Sequence, residues 1–300
     1  MRSEEKAVFL IILALLAAVA GLYAAYSLRL EREPEVYNVS LIMGSGDENF
    51  EKGVSGASLE YNADVHTVRA GEDDPAAQLA ALERELQSGA DAVILAFCDG
   101  EAAGEWLKKN NPQVPIVAAG TSVAADKGIT AVSMDERALG TLLARCVLED
   151  GAGTRAALVR AAGAESDEAL LAREDALAQA LTDGGVEVIR LAIGSLRGAH
   201  VPGVLIGLEA GVTKRLAAEA SSSATIYGVG FAPGLREALE SGRVAALSVV
   251  SKYDMGYLAT RAAVERAAGK RARDAQLDAY TARPSSIYEP PVSTILFPIG

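Results

Sequence analysis

The sequence predicts an α/β protein. Parallel sheet built from βαβ units, in two doubly wound lobes, follows an N-terminal segment able to form a transmembrane helix. Three observations carry this expectation. Short apolar runs alternate with amphipathic helical patterns, which is the signature of βαβ units. One run, AVILAF at 92–97, is apolar throughout rather than alternating, as suits a parallel strand covered on both faces. The chain has 300 residues, more than the ~100–200 of a typical domain, so two lobes are expected.

The first segment, 7–28 (AVFLIILALLAAVAGLYAAYSL), holds 22 residues and no charge. A bilayer core of about 30 Å needs ~20 apolar helical residues, so the run can span it. Arg2 and Lys6 in the tail 1–6 are offset by Glu4 and Glu5, while Arg29 and Arg32 lie beyond, giving only a weak orientation signal. Ala18-Val19-Ala20 offers a small-residue cleavage pattern, so a signal peptide is the rival reading. The apolar run continues past Ala20, which favours an uncleaved anchor: a single-pass cell-membrane protein with its C-terminal domain extracytoplasmic. The charged linker 29–35 (RLEREPE) then leads into the lobes.

Strands are expected at 39–43, 64–68, 92–97, 116–119, 156–159, 186–193, 204–206 and 244–250. Asp74 and Pro75 supply an N-cap and a first-turn proline for a helix bearing Leu79, Leu82 and Leu86 at helical spacing. Asp135 opens a second helix with Leu139, Leu142, Leu143, Cys146 and Val147 on one face. Ser166 is expected to cap a third, running to about 182, with Asp167 and Glu168 at its positive end. About ten residues, GSLRGAHVPG, separate the strands ending near 193 and starting near 204. A parallel crossover needs a dozen or more. The glycines and Pro202 disfavour a helix there, so the second lobe is expected to lack a layer.

The formal charge is 28 − 40 = −12, which argues against a nucleic-acid surface. Cys98, Cys146, His66 and His200 are too few for a disulfide framework or a zinc site. No nucleophile–base spacing is present, and GxSxG and HExxH are absent, so no enzyme is expected. The loop Gly44-Ser45-Gly46-Asp47-Glu48-Asn49 lacks the third glycine of a dinucleotide fingerprint and no P-loop lysine follows; no cofactor is called for.

The segments VYNVSLIMGSGDENFEKGVSGA, GADAVILAFCD, PQVPIVAAGT, AVSMDERALGTLLA, REDALAQAL, IYGVGFAPGLREALESGRVAALSVVSKYDMGYLA and SIYEPPVSTILFPIG, in this order, resemble the type I periplasmic-binding-protein family. The likeness is to its ribose-binding and lactose-repressor-like branch, and with the N-terminal anchor to its membrane-tethered bacterial members. It implies two lobes joined by three hinge strands around a ligand cleft, with 36–134 plus 251–281 in the N-lobe and 135–250 plus 282–300 in the C-lobe. It also implies a substrate-binding protein serving an ABC transporter permease or a sensor histidine kinase. A repressor role would need an N-terminal helix-turn-helix, where this chain has an apolar span instead.

Ligand-binding candidates come from the loops beyond strand carboxyl ends, where open α/β sheets bind. Ser45, Asp47 and Asn49 offer polar groups for hydroxyls, and Phe50 a ring for a sugar face; Phe50 equally suits the start of a helix's apolar side. Asp99 follows a buried strand and is either a hydroxyl acceptor or a helix cap. Thr121, Glu136 and Glu209 stand where sugar-binding relatives carry other polar groups, and Tyr253 falls on an expected hinge strand. Relatives have Asp-Arg where this chain has Gly120-Thr121, Asp-Asn at Asp135-Glu136, Asn-Asp at Leu208-Glu209, Asp at Gly230 and a hinge Gln at Val250. Arg173 is retained, while the arginine before it is Leu171. Losing such partners costs a hydroxyl-binding site dearly. Two readings remain: a pocket rebuilt for another solute, cationic or metal-complexed if Asp47, Asp99, Glu136 and Glu209 face it, or a non-binding interaction module whose cleft is filled by Phe50, Leu208 and Val250.

Overall fold

The structure, a computed structural model, describes residues 11–23, 35–71, 74–96, 100–120, 129–164, 167–196 and 202–298. It divides into a unit up to Val36 and one from Tyr37 onward. In the first, helix α1 covers residues 11–23 and leaves Ile11, Leu13, Leu15, Leu16 and Leu22 exposed. Among the described residues no helix is long and apolar enough to cross a membrane. Both ends of the expected span, 7–10 and 24–28, lie outside the described residues.

The second unit runs β1 (Tyr37–Met43), α2 (Glu48–Tyr61), β2 (Ala63–Arg69), α3 (Pro75–Ser88), β3 (Ala92–Ala96), α4 (Gly100–Asn110), β4 (Ile116–Ala119) and β5 (Thr130–Met134). It continues through α5 (Glu136–Glu149), β6 (Arg155–Arg160), α6 (Glu168–Asp183), β7 (Glu187–Ala192), a 3-10 turn (Ile193–Leu196), β8 (Val204–Gly207) and α7 (Ala210–Glu219). It closes with β9 (Thr225–Val229), α8 (Leu235–Glu240), β10 (Val244–Val249), α9 (Lys252–Ala267), β11 (Ala275–Leu277), β12 (Tyr280–Ala282) and α10 (Val292–Leu296).

These strands make two six-stranded sheets, ordered β11-β5-β4-β3-β1-β2 and β12-β10-β9-β8-β6-β7. All pairs are parallel except β12 with β10. Residues 92–95 of β3 and all of β4 are buried on both faces, as an unbroken apolar run requires. Asp74 caps α3 by accepting from the Ala77 amide with Pro75 in the first turn, and Asp135 caps α5 through the Ala138 amide. The cap of α6 is Asp167 and not Ser166, which lies outside the described residues. Its Oδ1 accepts from the amides of Ala169 and Leu170.

The chain passes between the sheets at Asp135, at Val250–Ser251 and at Asp278–Ala279. The last crossing corrects the expected division at 281, because Tyr280 and Thr281 pair with β10 in the second sheet. Each crossing leaves the carboxyl end of a strand, β5, β10 or β11, so the carboxyl edges of the two sheets face each other.

The expected break in the second sheet is present. Where α3 joins β2 to β3 in the first sheet, β7 and β8 flank β6 with only the 3-10 turn described between them. Ile193 of that turn joins the core over Ala157 and Leu205, doing part of the covering that a helix would provide.

Helices α9 and α2 meet at close range because glycine permits it. A Cβ on Gly53 would lie 1.9 Å from the Tyr253 carbonyl oxygen, and one on Gly256 2.2 Å from that of Phe50. In the other lobe a Cβ on Gly140 of α5 would lie 2.3 Å from the Arg173 carbonyl oxygen of α6.

Candidate functional site

The facing carboxyl edges bring the first turns of α2, α5, α6, α7 and α9 toward one cleft. A helix N-terminus carries a partial positive charge and unpaired amides. Here the caps satisfy much of that demand internally. Asp47 Oδ1 accepts from the Asn49 and Phe50 amides at 3.1 and 3.2 Å, and Ser251 Oγ from the Asp254 amide at 3.1 Å.

Asp47 thus faces the cleft as the cap of α2. Asn49 spends its side-chain amide on the Leu296 carbonyl at 2.9 Å, a bond from α2 of the first lobe to α10 of the second. Ser45 lies exposed in the preceding loop. Glu136, in the first turn of α5, is gripped by Arg173, with Nε and Nη2 at 2.8 and 2.5 Å from the same carboxylate oxygen. Burial raises the Glu136 pKa above its ordinary 4.5, and Arg173 pulls it back down. Glu209 accepts the Ala161 amide at 2.8 Å, tying the end of β8 to that of β6.

Two candidates are corrected. Phe50 is buried in the core against α9, because the glycine-lined seam draws its backbone onto Gly256. Tyr253 is on α9 and not on a hinge strand; its hydroxyl lies against Gly56 and its ring stacks on Tyr257, away from the cleft. Asp99 and Thr121, with Cys98 and His200, lie outside the described residues. Among the described residues no group of three His, Cys, Asp or Glu side chains could hold a metal.

Leu208 and Val250 are buried in the same apolar cluster as Phe50, Met255 and Val229. Arg173 Nη1 reaches the Leu208 carbonyl at 2.5 Å, so the retained arginine is committed to the protein itself.

The sequence reading missed Lys252, the first residue of α9 beyond the Ser251 cap. The residue as a whole is half-buried, and burial of its charged end lowers its pKa below the ordinary 10.5. The charges of Asp47 and Glu136 raise it again and that of Arg173 lowers it further, so charges from both lobes act on this one cation. No hydrogen bond or ion pair to Lys252 occurs among the described residues. A lysine in a helix's first turn opposes the macrodipole. That broken local rule was the available signal, since such breaks gather at functional positions. Arg160, at the carboxyl end of β6, was also missed; Glu174, 2% exposed, holds it at 3.3 Å and Arg190 at 2.5 Å.

The sequence profile of a family described as "Periplasmic binding protein domain" matches residues 42–271. No individual curated protein sequence matches. Among solved structures, GanP, a glucose-galactose binding protein from Geobacillus stearothermophilus, is similar at TM-score 0.73 and 19% identity, covering 84% of this chain and 99% of that one. An ABC transporter solute-binding protein from Agrobacterium vitis, bound with α-D-tagatopyranose, gives 0.76 and 16%, covering 87% and 99%. One from Bacillus halodurans C-125 with bound myo-inositol gives 0.74 and 17%, covering 86% and 98%. At these identities the likeness speaks for the fold.

Proposed function

This chain belongs to the periplasmic binding protein domain family, and from that premise we propose a membrane-anchored, extracytoplasmic substrate-binding protein whose solute carries an acidic group. It is a binding protein rather than an enzyme, in keeping with its family. The solute is small and polar, sugar-like or another polar metabolite, taken up between the two lobes and passed to a transporter or reported to a sensor. Segment 7–28 supplies the anchor, and lobe closure about the three crossings is the working motion.

One observation carries the choice of ligand class. Lys252 is a cationic cleft group without a partner among the described residues, whereas Asp47, Glu136 and Glu209 are each engaged by protein donors. This replaces the expectation of a cationic or metal-complexed solute. A carboxylate or phosphate in the cleft gains a charge-assisted bond that a neutral sugar does not.

Thermal melting of residues 35–300 with neutral sugars, polyols, sugar acids and cationic metabolites tests this. A ligand that binds only the native state, at 100 times its Kd, adds about 2.7 kcal/mol and raises the melting temperature by several degrees. A shift with sugar acids alone is expected. A shift confined to cationic compounds or neutral sugars would overturn the ligand class. A second reading, a non-binding interaction module, is favoured by Leu208 and Val250, which fill positions where sugar-binding relatives place polar groups. A flat panel on folded protein would move the assignment there.

A further inference from the structure

Away from the cleft, the first lobe has a groove of about 500 Å³ lined by Ile129, Thr130, Arg266, Arg271, Ala272, Arg273 and Asp274. We propose that this groove is a docking site for the headgroups of anionic lipids, resting on the reading of 7–28 as a membrane anchor.

Its place in the fold follows from the parallel sheet. Thr130 begins β5 and Ala275 begins β11, so the groove sits on the amino edge of the first sheet, opposite the cleft. The chain enters the second unit on that same edge, at Tyr37, the first residue of β1. Lys108 and Lys109 close α4 just before β4 on that edge, and Arg266 and Lys270 follow from the end of α9. Six basic side chains thus gather on one edge of a chain whose formal charge is −12.

That acidic excess makes the pairing pattern informative. Arg69, Arg155, Arg173, Arg190, Arg236 and Arg283 all hold carboxylates. Arg271 and Arg273 are exposed and have no such partner among the described residues. Two carboxylates of this edge are tied to backbone amides instead, Asp274 to Ala131 at 2.9 Å and Asp91 to Asn38 at 2.8 Å. The groove therefore offers the guanidinium groups of Arg271 and Arg273, which have no carboxylate partner among the described residues and can recognise phosphate oxygens in a fork. A free phosphorylated solute has the same chemistry. The membrane is the source argued for, because the second unit begins on this edge, at Tyr37, and in the sequence only a short linker separates it from the apolar segment 7–28.

The test uses residues 35–300, which hold both sheets and their cores and lack the apolar segment. They are sedimented with vesicles of phosphatidylcholine alone or mixed with phosphatidylglycerol. Binding to the mixed vesicles only is expected, weakening as salt rises. A basic residue near such a surface contributes about 1 kcal/mol, so the exposed double variant R271Q/R273Q should bind about 30-fold more weakly while melting as the parent does. Absence of binding, or equal binding by the variant, would overturn the proposal. So would an Arg271- and Arg273-dependent melting shift with inorganic phosphate in a protein that ignores the vesicles, which would assign the groove to a free anion. Failure of the anchor reading is separable: the full chain would then be released from membranes by alkaline carbonate, whatever the fragment does.

Discussion

Arg173 of α6 holds Glu136 of α5 by two nitrogens on one carboxylate oxygen, and its third nitrogen holds the Leu208 carbonyl. Gly140, one turn along α5, lets the two helices approach closely enough for that reach. The side chains of the pair are 11% and 14% exposed, so solvent does little to screen it. Breaking a buried pair from one side costs more than the pair contributes, because an uncompensated charge stays behind.

The two halves of this pair should therefore not be equivalent. Arg173→Met leaves a desolvated carboxylate and an unpaired Leu208 carbonyl, and a loss of about 3–5 kcal/mol is expected. Glu136→Gln keeps an acceptor for the guanidinium and should cost less than half as much. Urea denaturation of both variants at neutral pH decides it, and equal losses would contradict the geometry.

The same carboxyl predicts a pH dependence. Burial raises its pKa, so the folded protein binds the proton more tightly than the unfolded chain does. Its contribution is fully present below the ordinary value of 4.5 and is lost as pH rises through the raised value. The stability of the parent relative to Glu136→Gln should accordingly decline as pH is raised from below 4.5 toward neutrality. A difference that stays flat or grows would reverse the sign of the argument.

What was legible in the sequence was local. Asp74-Pro75 and Asp135 announce their helices, and the run at 92–97 announces a strand with two covered faces, because cap and period are properties of a few adjacent residues. The fates of Phe50 and Tyr253 are not local. Both are settled by the α2–α9 seam, and that seam depends on Gly53 and Gly256, two positions that carry no apolar signal. Strands β11 and β12 have three residues each, too short for a period to be read, so the last crossing was misplaced. Acidic residues near the cleft read from sequence as available to a ligand, because sequence gives no sign that backbone amides and Arg173 already occupy them.

Lys252 tests the trade between stability and binding. Burial lowers its pKa, so the charged form is penalised in the folded protein at neutral pH, and the penalty is relieved only as pH rises toward 10.5. Lys252→Met should raise the melting temperature at neutral pH and abolish the response to acidic solutes. A variant that melts lower, or that keeps the ligand shift, would remove the lysine from the site.

Gly256→Ala probes the seam. The new methyl would collide with the Phe50 carbonyl, which is helix backbone and cannot yield without parting α2 from α9. Overpacking of this kind costs about 1–3 kcal/mol. Gly211→Ala in α7 is the control: nothing lies within 4 Å of its Cβ, and alanine is the better helix former. Calorimetry should therefore find the first variant less stable and the second unchanged or slightly more stable.

Asn49 links the lobes directly, its side-chain amide donating to the Leu296 carbonyl near the end of α10. The carbonyls of a helix's last turn have no intrahelical partner, so this bond satisfies an orphan acceptor while it ties α2 to the opposite lobe. In Asn49→Ala that carbonyl turns to water, which is easiest when the lobes part. A half-buried bond of this type contributes about 0.5–1.5 kcal/mol, enough to shift a two-state lobe equilibrium by roughly two- to tenfold. The variant should have a larger radius of gyration in small-angle scattering without ligand, and an acidic solute should restore the compact value. Unchanged scattering would mean that the three crossings alone set the lobe angle.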